Sequence, residues 1–145
     1  MYKDWCVAHH GTTSQNLPSI LLQGLQNPGE PGVSILHGQS YSQTKRTIYL
    51  SPSIEYAAFP VYAQLFSLAE ASHWGQLVLQ CRVRPDSFIE RPGSLGNKYW
   101  PQHVRFDPNF DSLQGLEWLI ENRDDIVVYG LVTREFGSAK KRPIL

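Results

Sequence analysis

Trp5, Cys6, Val7 and Ala8 form an unbroken apolar run, which predicts a short buried strand ending at His9-His10-Gly11-Thr12. A helix follows over 16–24. Asn16 can cap its start, Pro18 is tolerated in the first turn, and Gly24 suits the left-handed position after its last residue. Residues 26–45 are rich in Gly, Pro, Ser and Gln and read as a long surface loop, with room for a strand near 33–36. Thr47-Ile48-Tyr49-Leu50 is the next strand. Ser51 as N-cap and Pro52 at the first helical position then predict a helix that carries Tyr56 and ends or kinks at Pro60. Residues 61–71 continue with a helical pattern.

The run QLVLQCRV over 76–83 predicts a strand, and 85–108, dotted with Pro and Gly, reads as irregular. Two further strands are expected at 117–120 and 126–133. The turn Asn122-Arg123-Asp124-Asp125 between them suits an antiparallel hairpin. Helices early and strands late predict a mixed α+β fold with a largely antiparallel sheet. The length fits one domain, taken as 1–136, followed by a basic tail over 137–145 that carries Lys140, Lys141 and Arg142.

Composition narrows the class. Of 145 residues, 41% are apolar, enough for a sizeable core, and a charged fraction of 18% does not fit a disordered chain. Thirteen basic and thirteen acidic residues cancel. That balance leaves nucleic-acid binding through phosphate neutralisation unsupported, although a local basic patch stays compatible with it. Cys6 and Cys81 make neither a disulfide framework nor a metal-ligand spacing, and each sits in a strand-like run, so buried thiols are expected. Neither a signal peptide nor an apolar stretch of spanning length is visible. An intracellular protein of the cytoplasm or nucleus, with no membrane partner, is the expectation.

Polar side chains gather where predicted strands meet loops or helices: His10-Gly11-Thr12, Tyr49 with Ser53 and Tyr56, and Glu117. Singly, each has an ordinary explanation. A histidine after a strand is more often a loop residue, tyrosines at a strand–helix junction are usually core, and a glutamate opening a strand is usually a solvated edge charge. Their order along the chain carries more weight than any one of them.

That order resembles the poly(ADP-ribose) polymerase-type ADP-ribosyltransferases, which use a His, Tyr, Glu triad. The family's first block, a strand ending in His-Gly-Ser/Thr and followed by Ile-Leu-x-x-Gly-Leu, is similar to His10-Gly11-Thr12 and Ile20-Leu21-Leu22-Gln23-Gly24-Leu25. Its second, Ile-Tyr-Phe-Ala with a following Ser-x-x-Tyr, is similar to Ile48-Tyr49-Leu50-Ser51 and Ser53-Ile54-Glu55-Tyr56. A middle strand resembles Arg82-Val83-Arg84-Pro85. The last block resembles Phe110-Asp111-Ser112, Glu117-Trp118-Leu119-Ile120 and Gly130-Leu131-Val132. The likeness runs from about residue 5 to residue 134. It implies the ADP-ribosyltransferase fold, a split, largely antiparallel sheet flanked by short helices. It also implies a glycosyltransferase of the pentosyl class that uses NAD as co-substrate and needs no metal. The expected acceptor is a macromolecule, protein first. The long acceptor-side loop of chain-elongating members has no counterpart here, which implies transfer of single ADP-ribose units.

The roles implied by the resemblance make physical sense. Nicotinamide in NAD⁺ is a flat cation, which suits stacking between Tyr49 and Tyr56. Its carboxamide needs a donor and an acceptor. Gly11 can offer both from its backbone because no Cβ blocks close approach, and the Ser53 hydroxyl can add a third bond. His10 and Thr12 would bond the adenine-side ribose. Glu117 would accept from the 2′-hydroxyl of the nicotinamide ribose and face the positive charge growing on C1′, with His10 and Tyr49 completing the catalytic set. Glu121 is the rival for the carboxylate, since residues four apart share a strand face, and Glu117 is preferred for its spacing from Asp111-Ser112. His9 is the rival for His10, but only His10 directly precedes Gly11. Two other functions stand beside this one. The first is a catalytically inactive module of the same fold that binds NAD or ADP-ribose, or serves only as a protein-interaction surface. The second is a related NAD-using RNA 2′-phosphotransferase, which calls for basic residues that the neutral balance does not supply.

Overall fold

Leu77, Leu79, Cys81 and Val83 recur at every second position of a ten-residue run, and each is almost fully buried. This is the alternation of a strand with one face on a core. In a computed structural model, which describes residues 2–33, 46–68, 73–95 and 107–136, the run lies in strand β4, Trp74–Val83. Strand β7, Ile126–Phe136, pairs antiparallel with β4 from Trp74↔Phe136 to Val83↔Ile126, with a bulge at Gln80/Cys81. Strand β1, Cys6–Gly11, pairs with residues 78–83 of β4, and the short β3, Phe66–Ser67, pairs with Trp74 and Gly75, both antiparallel.

The second sheet has three antiparallel strands. β6, Glu117–Ile120, lies between β2, Ile48–Leu50, and β5, Phe88–Arg91. One core cluster draws on both sheets: Ala8, Leu79, Cys81 and Val83 from the first, Ile48, Leu50, Trp118 and Ile120 from the second. Phe88 stacks on Trp118 with centroids 4.0 Å apart. Each large aliphatic side chain buried there contributes roughly 1.5–3 kcal/mol relative to exposure. Burial pushes the Cys81 thiol up to about 12, while Cys6 is half-buried. The described helices are short: α1, Leu17–Gln23, and α2, Ile54–Ala57. The architecture is therefore mixed α+β with antiparallel sheets and few helices. None of the described helices is long and apolar enough to cross a membrane.

Several local expectations change. β1 runs on through His9, His10 and Gly11, because all three backbones have partners on β4. Asn16 stands at the N-cap of α1 but makes no capping bond there; its amide donates to Thr12 Oγ1 at 3.4 Å. Gly24 takes a positive φ of 73° after the last turn, as expected. Ser51 does not start the second helix, since its backbone pairs with that of His9; the cap is Ser53, two residues later. Residues 61–68 hold no helix. Pro60 interrupts it, and Phe66–Ser67 instead extends the edge of β4. Within 85–108, Phe88–Arg91 is a strand.

The expected hairpin of the last two strands is absent. β6 already has β2 and β5 on its two edges, so β7 has no edge there to join. Asn122 caps a single 3₁₀ turn, Arg123–Asp125, its side chain accepting from Asp124 N at 3.1 Å, and the chain changes sheets. Of the strand expected near 33–36 only Val33 is among the described residues, in a turn on Glu30; 34–36, residues 69–71 of the expected helical stretch and the basic tail lie outside them.

Contacts of the 24–30 segment fix α1 against the exit of β6. The buried Asn27 amide donates to the carbonyls of Arg46 (2.5 Å) and Glu121 (2.8 Å). Arg123 bonds the Gln26 side chain and pairs with Glu30.

Candidate functional site

Alternation along β1 sends Ala8 into the core, and with it the side of the strand that His10 shares. His9 and Gly11 take the other side. The backbone of His9 exchanges hydrogen bonds with Ser51 at 2.7 and 2.9 Å, which ties the first sheet to the chain just past β2. That tie brings His10 to β2, where its Nδ1 lies 2.8 Å from the Tyr49 carbonyl. A carbonyl only accepts, so Nδ1 carries the proton and Nε2 keeps a lone pair. Burial lowers the His10 pKa below the usual imidazole range, opposed by the Tyr49 carbonyl, so the ring is neutral at pH 7. His9 is lowered too, chiefly by burial.

Gly11 is where β1 meets α2. A Cβ there would stand 2.1 Å from the Ala57 carbonyl oxygen and 2.9 Å from Tyr62 Cβ, so only glycine allows the approach. α2 is held at its start by Ser53, whose Oγ accepts from Tyr56 N (3.1 Å) and donates to Asp107 Oδ2 (2.7 Å). Asp107 is itself buried and also accepts from the backbone and side chain of Asn109. The Ser53 hydroxyl is thus spent inside the protein.

From this cap the helix directs Tyr56 at Glu117. The Tyr56 hydroxyl donates to Glu117 Oε1 at 2.6 Å. Burial, and then the bond to Glu117, raises the phenol pKa far above its ordinary value, so the proton stays on Tyr56. Having spent that proton, Tyr56 is the acceptor in its 3.3 Å contact with the Tyr62 hydroxyl. The two rings lie 5.6 Å apart at 35°. Burial raises the Tyr62 phenol as well. Two more donors reach Glu117 Oε1 from the segment after β5, Ser94 N at 3.0 Å and Ser94 Oγ at 2.5 Å. In the second sheet, Trp118 and Ile120 join the core with Ile48 and Leu50, and alternation turns Glu117 and Tyr49 away from it.

These residues border a cleft of about 590 Å³. His10, Gly11, Thr12, Tyr49, Tyr56 and Glu117 all line it, as do Tyr62 and Ser94. Ser53 does not line it and is fully buried. Glu121 is exposed and outside the lining. His9 borders the cleft, but its side lies toward Ser51 and Pro52. Among the described lining residues, Glu117 carries the only formal charge when the histidines are neutral. No group of three His, Cys, Asp or Glu able to hold a metal occurs among the described residues.

Two members of the site carried little sequence signal. Tyr62 lies in a stretch with a helical pattern, where a tyrosine reads as packing. Ser94 lies in the Pro- and Gly-rich stretch that reads as irregular; the turn-forming Pro92-Gly93 pair just before it was the available hint. In comparisons with known proteins, the chain matches no family model and no curated protein sequence.

Proposed function

We propose that this chain is an NAD-dependent ADP-ribosyltransferase of the ADP-ribosyltransferase fold, acting inside the cell. It breaks the nicotinamide–ribose bond and passes single ADP-ribose units to an acceptor macromolecule, protein first. The observation that carries this reading is Glu117: a lone carboxylate, held by fixed donors, in a cleft whose other described walls are uncharged. A fixed negative charge beside the sugar has less to favour while the positive charge sits on the nicotinamide ring, and much to favour in a transition state where that charge shifts to C1′. Glycosidic cleavage has that character.

In this reading Glu117 accepts from the 2′-hydroxyl beside C1′ and stabilises the charge that grows there. The bonding pair leaves with the nicotinamide nitrogen, which becomes neutral, and the acceptor's lone pair forms the new bond to C1′ as the acceptor proton is released. Tyr49 and Tyr56 supply aromatic surface for the flat cation, and backbone groups of Gly11 bond its amide. His10, with Nδ1–H committed to Tyr49, offers Nε2 to a ribose hydroxyl and Thr12 supports it. Loss of one such electrostatic group costs about 10²–10³ in rate.

The direct test is nicotinamide release from NAD⁺, with water or added proteins as acceptor, together with thermal shift. Release with a ligand-dependent rise in melting temperature is expected. Flat melting curves at millimolar NAD⁺ and nicotinamide analogue remove the reading. Binding without release under every acceptor leaves a module that only holds the ligand.

A further inference from the structure

Gly93 and Ser94 follow β5 after a single residue, Pro92, and the chain there is pinned. Gly93 N donates to the Leu113 carbonyl at 2.7 Å, tying this segment to the one that leads into Glu117. A Cβ on Gly93 would fall 2.7 Å from Tyr56 Cε2, so the backbone lies directly against the tyrosine ring. Ser94 N then reaches both Tyr56 Oη (2.8 Å) and Glu117 Oε1 (3.0 Å), and Ser94 Oγ reaches the same carboxylate oxygen at 2.5 Å. With Tyr56, three donors converge on one oxygen of one carboxylate. All three of these bonds end on Oε1 and none of them on Oε2.

We infer that Ser94 is a positioning residue: with Tyr56 it clamps Oε1 of Glu117, so that Oε2 is the oxygen presented to the reacting sugar. This rests on the proposed function and deepens it. A glutamate side chain has several rotatable bonds, and an unclamped carboxylate would spend most of its time away from a productive geometry. Two donors from one residue define both the distance and the plane of the carboxylate, which one tyrosine hydroxyl cannot do. Ser94 is exposed, so its bonds add little to folding; their consequence lies in where the charge sits. The Tyr62 hydroxyl, 3.4 Å from Ser94 Oγ and 3.3 Å from Tyr56 Oη, spans the two clamp residues.

The test compares Ser94→Ala and Ser94→Thr, in native and Glu117→Gln backgrounds, by nicotinamide release at saturating NAD⁺ and by NAD⁺ affinity. Ser94→Ala keeps the backbone donor and loses the hydroxyl. Its turnover should fall about tenfold, with affinity within about twofold and the melting temperature unchanged. Ser94→Thr should recover most of the loss. In the Glu117→Gln background, with no charge left to aim, Ser94→Ala should add less than about twofold, the coupling expected of two residues that act as a unit. Full turnover by Ser94→Ala, or an equal loss in both backgrounds, overturns the positioning role alone. Absence of nicotinamide release from the native protein overturns the functional reading and this role with it.

Discussion

The hydroxyl of Tyr56, in α2, donates to Oε1 of Glu117, the first residue of β6, across 2.6 Å. That bond joins the helix capped by Ser53 to the second sheet. It also couples two residues that the chain separates by the whole of β3, β4 and β5. Burial, and then this bond, raise the phenol above its ordinary value, so Tyr56 holds its proton at neutral pH and donates it to the carboxylate.

Replacing Tyr56 by Phe keeps the ring and removes that donor, along with the acceptor for Ser94 N. Stability should fall by roughly 1–2 kcal/mol, the cost of unpairing polar groups at a partly buried site. Nicotinamide release should fall about tenfold, because Glu117 retains its two bonds from Ser94. Chemical denaturation and turnover check the two parts separately. A stability loss with full turnover would reduce the tyrosine to a packing residue.

Ser53 offers the opposite case. Its hydroxyl caps α2 and binds the buried Asp107, and it does not line the cleft. Ser53→Ala should therefore cost about 1–3 kcal/mol of stability. NAD⁺ affinity should stay within a few-fold for the fraction that is folded. A tenfold or greater loss of affinity in stable protein would return this hydroxyl to direct ligand contact, the role that the family resemblance implies.

The two histidines carry a pH signature. Both have pKa values lowered from 6.5, mainly by burial. The unfolded chain then takes up protons that the native protein refuses. Their stabilising contribution is complete above pH 6.5 and is lost as the pH falls from there through the lowered native values. Melting temperature should drop on acidification in that window, and His10→Gln should flatten part of the drop. Imidazole NMR titration should place both midpoints below 6.5, with the His10 proton on Nδ1 in the neutral form. A His10 midpoint at or above 6.5 would contradict the burial argument.

Much of this arrangement was legible in the residues. β4 announced itself by alternation, and Thr47-Ile48-Tyr49-Leu50 by a β-rich run, so the strands that carry Tyr49 and support His10 were placed nearly correctly. Periodicity also separates His10 from His9 once Ala8 is known to be core, whereas the sequence alone favoured His10 for its place directly before Gly11. What it could not supply was pairing. β6 and β7 look like a hairpin locally, and only the occupied edges of β6 send β7 to β4. Ser51-Pro52 is a sound helix start in isolation, but the bridge to His9 claims the Ser51 backbone first. Ser94 is the clearest case: its contact with Glu117 bridges 23 positions and depends on Gly93 fitting against a ring, which no local pattern encodes.

The sharpest prediction concerns the two glutamates that sequence periodicity could not tell apart. Glu117 opens β6, lines the cleft and is held by Tyr56 and Ser94, whereas Glu121 follows the end of β6, is exposed and lies outside the lining. Glutamine at either position keeps size and hydrogen-bonding capacity while deleting the charge. Glu117→Gln should cut nicotinamide release by about two to three orders of magnitude. Its NAD⁺ affinity should change little, because the carboxylate acts mainly on charge that appears after binding. Glu121→Gln should stay within a few-fold of the native protein, since a solvated surface charge contributes little. The measurement is turnover of both variants at saturating NAD⁺ beside their binding constants. A dead Glu121→Gln with an active Glu117→Gln would mean that the clamp around Glu117 is structural and the reactive carboxylate lies four residues on. Full activity in both would remove the carboxylate from the mechanism altogether, and with it the one formal charge on which the proposed chemistry depends.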